Sequence, residues 1–211
     1  MPPASPRPRR FQEGHIVLAT HNTGKIRELR ALFAGIPVTV TTSADHGVVS
    51  VDETATTFAE NAAIKARAAV QATGFPAIAD DSGLTVDALE GQPGVATADW
   101  AETASGRDYR MAMRQVWFLL EARCAPEPRQ AQFRSTLCVA WPDGHEQFYP
   151  GIVEGRLVWP MRGEFGFGFD PMFVPDGHAM TFGEMDRDLK NTISHRARAM
   201  EQFAADCLGA R

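Results

Sequence analysis

What this chain lacks narrows it first. It has no basic excess, since 21 Lys and Arg stand against 26 Asp and Glu for a formal net charge of −5. A protein that grips long nucleic acid carries a positive surplus to neutralise phosphates, so no nucleic-acid polymer is expected as a partner. A local basic pocket for one small anion stays open. Cysteines number only three, Cys124, Cys138 and Cys207, at wide spacing. Without a CxxC pair or Cys/His ligand spacing there is no basis for zinc, and the thiols read as reduced and buried, the cytosolic pattern. No apolar run approaches the ~18 residues of a membrane span, so no membrane partner is expected. Residues 1–10 are rich in Pro and Arg but lack the apolar segment of a signal peptide. A disordered tail over residues 1–13 and a single domain over residues 14–211 are expected.

What is present suffices for a sizeable core: 44% of the 211 residues are hydrophobic. Ile16-Val17-Leu18-Ala19 predicts a strand buried on both faces, followed by a small polar loop and a helix over residues 25–33. A second strand is expected over residues 38–41. Thr57-Phe58-Ala59-Glu60 has the form of a capping box, and the helix behind it runs to Thr73, where Gly74 and Pro76 stop it. Residues 77–79 predict a short strand that feeds an acidic loop, with residues 84–86 leaving it. A long helix is expected over residues 107–123, then an alternating strand over residues 130–141 with Phe133, Leu137 and Val139 inward. A hairpin return is expected over residues 146–149, a short strand over 172–174 and a terminal helix over 194–208. Helices alternating with strands, plus one antiparallel hairpin, give an α/β domain around a mixed sheet.

Five segments carry chemistry. Thr20-His21-Asn22-Thr23-Gly24-Lys25 lies between a buried strand and a helix start, where backbone N–H groups and the dipole favour an anion. Its glycine spacing is not that of a Walker A loop. Asp80 and Asp81, in Ala79-Asp80-Asp81-Ser82-Gly83, repel one another unless a cation or proton intervenes, and hard oxygen ligands suit Mg²⁺. Asp52-Glu53 offers a second acidic pair. Glu60, Asn61 and Lys65 share a polar stripe of the capped helix; capping accounts for Glu60 but not for Asn61, a poor helix former. The run from Gly163 to Asp170 interleaves glycine with phenylalanine, which lets backbone and ring approach a flat ligand. Lys190 and the pair His195-Arg196, behind Ser194 as N-cap, place cations where a helix dipole opposes them, which points to an anionic or electron-rich neighbour.

Taken in order, these segments resemble the inosine triphosphate pyrophosphatase family, the hydrolases of non-standard purine nucleoside triphosphates also called dITP/XTP pyrophosphatases. The resemblance rests on Thr20-x-Asn22-x-x-Lys25, Phe58-x-Glu60-Asn61-Ala62-x-x-Lys65-Ala66, Ala79-Asp80-Asp81-Ser82-Gly83-Leu84, Pro93-Gly94, Gly166-Phe167-Gly168-Phe169-Asp170-Pro171 and Ser194-His195-Arg196. It implies a three-layer α/β domain with a long mixed β-sheet flanked by helices, two lobes around a central cleft, and a cytoplasmic homodimer. It also implies hydrolysis of ITP, dITP and XTP to the monophosphate and pyrophosphate with Mg²⁺ as cofactor. By the same resemblance Asp81 is the general base and, with Glu53, a metal ligand. Thr20, His21, Asn22, Thr23, Gly24, Lys25 and Lys190 hold the triphosphate. Ser82 contacts the nucleotide near the metal, Phe167 stacks on the purine, Asp170, His195 and Arg196 read its edge, and Gly168 and Phe169 also belong to the substrate-binding residues. Asp80, Glu60, Asn61 and Lys65 are supporting residues. Phe165, Phe169, His21 and Asp99 depart from residues common in the family. A nucleotide-binding module without catalysis would require a broken acid cluster, and a pyrimidine specificity disagrees with the segments at Gly166 and Ser194.

Overall fold

The computed structural model describes residues 8–209. A six-stranded mixed sheet runs in the order β2-β1-β3-β6-β7-β8, with β1 His15–Leu18, β2 Thr39–Thr42, β3 Ala77–Val86, β6 Gln130–Ala140, β7 Glu146–Leu157 and β8 Phe173–Pro175. A separate two-stranded ribbon pairs β4 Glu102–Thr103 with β5 Gly106–Arg107. β1 is parallel to both β2 and β3, whereas β7 and β8 are antiparallel. The described residues fall into two compact units. One holds those through Asp81 with Thr136–Pro150 and those from Ala199 onward; the other holds Ser82–Ser135 and Gly151–Arg198. β3, β6 and β7 each contribute residues to both.

In the first unit the sheet is buried on both sides. Ile16, Leu18, Ile78, Leu137 and Val139 face α1 (Thr23–Leu32) and α5 (His195–Phe203), meeting Leu29, Phe33, Ala199 and Phe203. The alternate residues Val17, Ala19, Ala77, Ala79, Cys138 and Ala140 face α2 (Phe58–Thr73) through Ala62, Ala63, Ala66 and Ala69. Side chains of a strand alternate between faces, so a two-residue period separates these cores. The α2 face is almost wholly alanine, which lets helix and sheet approach closely. Local chemistry sets the helix ends. Asn22 Oδ1 accepts from the N–H groups of Gly24 and Lys25, Thr57 Oγ1 accepts from Glu60 N–H, and Gly74 ends α2 in the left-handed region at φ 71°. Glu60 answers through its carboxylate, which accepts from the Thr57 hydroxyl at 2.9 Å rather than from the cap's backbone.

The second unit has its own core. α3 (Tyr109–Ala122), capped by Asp108, presents Ala112, Met113, Val116 and Leu120 to Phe133, Val153, Leu157, Phe173 and Phe182.

Several elements differ from expectation for identifiable reasons. The acidic segment is no loop, because Ala77–Val86 is one ten-residue strand and its acids are buried within it. β7 runs past Pro150 to Leu157, and its inward positions include Gly151 and Gly155, whose missing side chains hide the alternation in sequence. A Cβ on Gly155 would lie 2.3 Å from the Val174 carbonyl oxygen, so the close approach of β8 needs glycine there. α4 (Arg187–Ile193), capped by Asp186, was not foreseen; Ser194 separates it from α5, which gives way to a π-helical turn over Ala204–Leu208. Cys124 is exposed rather than buried, since it lies just past α3 at φ 48°; Cys138 and Cys207 are buried. Of the expected tail, residues 1–7 lie outside the described residues. Within residues 8–13, Phe11 N–H donates to the Cys207 carbonyl and Arg9 pairs with Glu13 and Asp143. No helix among the described residues is long and apolar enough to cross a membrane.

Candidate active site

The strand register explains why two adjacent acids are not equivalent. Asp80 points to the same face as Ile78, toward α1, and its buried carboxylate meets Lys25 Nζ at 2.8 Å. Lys25 also donates to the Asp80 carbonyl at 3.2 Å. Asp81 points with Ala79 toward α2, where Lys65 Nζ stands 3.4 Å from Asp81 Oδ1 and 3.1 Å from Glu53 Oε1. The acids therefore do not confront each other; each has its own lysine.

Asp80 is satisfied, whereas Asp81 is only half satisfied. Its Oδ2 is buried with no hydrogen-bond partner. Burial is the largest cause that pushes the Asp81 carboxyl up, to about 6, with the Glu53 charge adding to it and Lys65 and Lys25 opposing. Glu53 is also raised by desolvation, but Lys65 and its contact with Asp81 outweigh that and hold it below its usual range. Among the described residues no three acidic, His or Cys side chains form a closed metal cage. Magnesium does not require one, because it commonly takes one or two carboxylates and completes its shell with phosphate oxygens and water. An orphaned buried carboxylate oxygen, with a second carboxylate sharing its lysine, is a donor set that fits it.

The neighbouring loop is more self-contained than its sequence suggests. Two of the N–H groups expected for an anion, those of Gly24 and Lys25, are taken by Asn22 Oδ1 at 2.9 and 3.1 Å. Asn22 N–H in turn donates to Thr20 Oγ1, and His21 Nε2 lies 3.0 Å from the Val48 carbonyl. Thr23 opens α1. Asn61, unexplained in sequence, is buried with Oδ1 accepting from Ala55 N–H at 2.9 Å. Glu60 remains a capping residue.

The second unit gathers the aromatic and cationic residues. Phe167 is 41% exposed. Lys190 Nζ lies 5.0 Å from its ring centre and the Arg196 guanidinium 5.9 Å, within cation–π range. Lys190 also pairs with Asp170 Oδ2 at 2.5 Å, and the same oxygen accepts from Phe167 N–H at 2.6 Å. Burial raises the Asp170 carboxyl against the pull of Lys190. Asp170 thus braces the loop internally. Gly166 sits at φ 74°, and a Cβ there would fall 2.1 Å from Asp170 Oδ2. Phe169 is a core residue, edge-on to Tyr109 at 6.0 Å, and Gly168 passes over the same tyrosine. His195 is buried and stacked on Phe133 at 5.0 Å, and Arg196 donates to Ser82 Oγ at 3.1 Å. Phe133, expected as an inward strand residue, and Tyr109, which the sequence does not single out, support these residues; nothing in their spacing distinguishes them.

Known proteins resemble the chain over nearly its whole length. The model of the Ham1 family matches residues 16–206. A dITP/XTP pyrophosphatase of Ruegeria pomeroyi is 55% identical over 201 residues, covering 95% of this chain and 98% of that protein. One of Rhizobium meliloti is 52% identical, covering 96% of this chain and 100% of its own. Among solved structures, a HAM1 protein from Coxiella burnetii superposes with a TM-score of 0.84 at 36% identity, covering 90% and 96% of the two chains. A nucleoside-triphosphatase/dITP/XTP pyrophosphatase from Mycobacterium abscessus gives 0.73 at 34% identity, covering 89% and 96%. With the family model matching residues 16–206 and relatives at 52–55% identity covering nearly the whole of both chains, the chain belongs to the Ham1 family.

Proposed function

We propose that the protein hydrolyses non-standard purine nucleoside triphosphates, ITP, dITP and XTP, to the monophosphate and pyrophosphate, using Mg²⁺. The relatives' names support the substrate class and the hydrolase activity. The observation that carries the chemical reading is Asp81, a buried carboxylate with an unpartnered oxygen and an affinity for protons near neutrality. A general base works best when its pKa lies near the working pH, so Asp81 takes the proton of the attacking water. Glu53 and Asp81 hold the cation, which when bound neutralises phosphate charge and orients the displacement. Lys25 and Lys65 contribute positive charge to the triphosphate, each kept in place by an acid. Phe167 stacks on the base, Asp170, His195 and Arg196 supply the polar contacts to the purine, and Ser82 contacts the nucleotide near the metal. A donor set built for a 6-keto oxygen rejects adenine because it leaves buried donors unpaired. The same proposal includes a homodimer in the cytoplasm.

The test is a nucleoside triphosphate panel with pyrophosphate release as readout, run with magnesium and with EDTA. ITP, dITP and XTP are expected to turn over, ATP to be a poor substrate, and EDTA to stop the reaction. Asp81→Asn should abolish turnover while nucleotide binding stays measurable. Equal rates with ATP and ITP would sink the selectivity, and undiminished turnover in EDTA would sink the role of the cation.

A further inference from the structure

We infer that Asn61 is a positioning residue for Glu53: by holding the loop over residues 48–57 to the first turns of α2, it sets where the Glu53 carboxylate stands. The inference rests on the reading of Glu53 as a magnesium ligand. The loop contains neither helix nor strand, and most of its residues are exposed, Glu53 among them. Asn61 Oδ1 accepts from Ala55 N–H at 2.9 Å, two residues beyond Glu53. Four residues further along the same helix face, Lys65 reaches the Glu53 carboxylate at 3.1 Å. One helical face therefore holds the loop twice, by its backbone at residue 55 and by its side chain at residue 53. At the loop's other end His21 meets the Val48 carbonyl at 3.0 Å.

These holds differ in kind. An ammonium is a point charge on a flexible stem and defines no orientation. A buried amide bonded to a backbone N–H fixes the chain in position and direction. Asparagine is otherwise a poor occupant of a helix, and burying its amide is costly unless it is bonded. The contact with Ala55 gives this side chain its reason to be there. Partners one step removed from a metal typically alter its affinity by about 10–100-fold when removed.

The experiment measures pyrophosphate release from ITP across a magnesium titration for wild type, Asn61→Ala, Asn61→Asp, Glu53→Gln and the double variant Glu53→Gln/Asn61→Ala, with a thermal melt of each. Asn61→Ala is expected to raise half-saturating magnesium by about tenfold or more, both in turnover and in the magnesium-induced rise of the melting temperature without nucleotide, while KM for ITP at saturating magnesium changes little. Asn61→Asp, which retains an acceptor oxygen, should stay within about threefold of wild type, well short of that loss. In the double variant the loss should not exceed that of Glu53→Gln alone, because the two residues act through one ligand. Ala55→Pro removes the donor with Asn61 intact and should reproduce the shift, which serves if Asn61→Ala fails to fold. An unchanged magnesium requirement in Asn61→Ala, equal damage from Asn61→Asp, or additive losses would overturn the inference. A wild-type enzyme indifferent to magnesium removes this inference and the proposed function together; a magnesium-dependent wild type with unshifted variants removes this inference alone.

Discussion

A carboxylate whose pKa is raised by burial costs folding free energy whenever it ionises. Asp81 sits at about 6 in the folded chain against an ordinary value of 3.8. The folded state thus binds more protons than the unfolded between those values. The stabilisation from neutral Asp81 is complete below pH ~4 and lost as pH rises through ~6, leaving the cost in full at pH 7. Without magnesium, Asp81→Asn should raise stability at pH 7 by about 1–3 kcal/mol, with the gain shrinking toward zero near pH 4. Urea melts at the two pH values check this, and an Asp81→Asn variant no more stable than wild type at pH 7 would refute it. Gly166 is the converse case, a residue whose identity the fold demands. Its positive φ and the 2.1 Å approach of Asp170 Oδ2 leave no room for a methyl group. Gly166→Ala should displace the Asp170 carboxylate from Lys190 and Phe167 N–H, and is expected to lower ITP turnover at least tenfold and stability by about 1–3 kcal/mol. Retained ITP kinetics would show that the loop tolerates the change.

At the scale of the element, α2 reaches the sheet through Ala62, Ala63, Ala66 and Ala69, and this closeness brings Lys65 to Asp81. Ala66 is fully buried there. Ala66→Leu would push helix from strand, costing about 1–3 kcal/mol, and should lower kcat more than Asp80-side substitutions of equal stability cost. Kinetics beside a thermal melt checks it; a stable variant with normal kcat would show that the spacing of α2 is not critical. The same interface shows what the sequence could reveal. The capping residue Thr57 and the terminator Gly74 were readable because helix ends are local chemistry. The strand character of Asp80 and Asp81 was not, because their lysines come from two different helices and no local signal reports a partner 55 or 16 residues away. β7 was shortened for a similar reason: inward Gly151 and Gly155 answer to packing neighbours rather than to strand propensity. Of the candidate site, residue types and spacing were legible, whereas the pairing of Asp170 with Lys190 and the anchoring of the Ala55 backbone N–H by Asn61 were not, since in both a side chain joins segments that no local pattern connects.

For the whole molecule the relevant quantity is net charge. At −5 the chain has no long-range attraction for a triphosphate, itself an anion. The cations that meet phosphate in the proposed reaction, Lys25 and Lys65, already face Asp80, Asp81 and Glu53, so their field is largely cancelled a few ångströms away. Recognition must then act at contact, where desolvation strengthens each interaction, and not through steering. Salt screens charges beyond about 10 Å at 0.1 M but leaves buried pairs nearly untouched. At fixed free magnesium, kcat/KM for ITP is therefore expected to change by less than about threefold between 50 and 200 mM salt, in contrast to the ~10³–10⁵ loss typical of proteins that bind nucleic acid through many phosphate contacts. Single-stranded DNA added at low salt should not compete with ITP, since no basic surplus exists to hold it. Stopped-flow measurement of kcat/KM across that salt range decides the point. A tenfold fall, or competition by DNA, would reveal a concentrated positive field that the charge count and the lysine–carboxylate pairing both argue against.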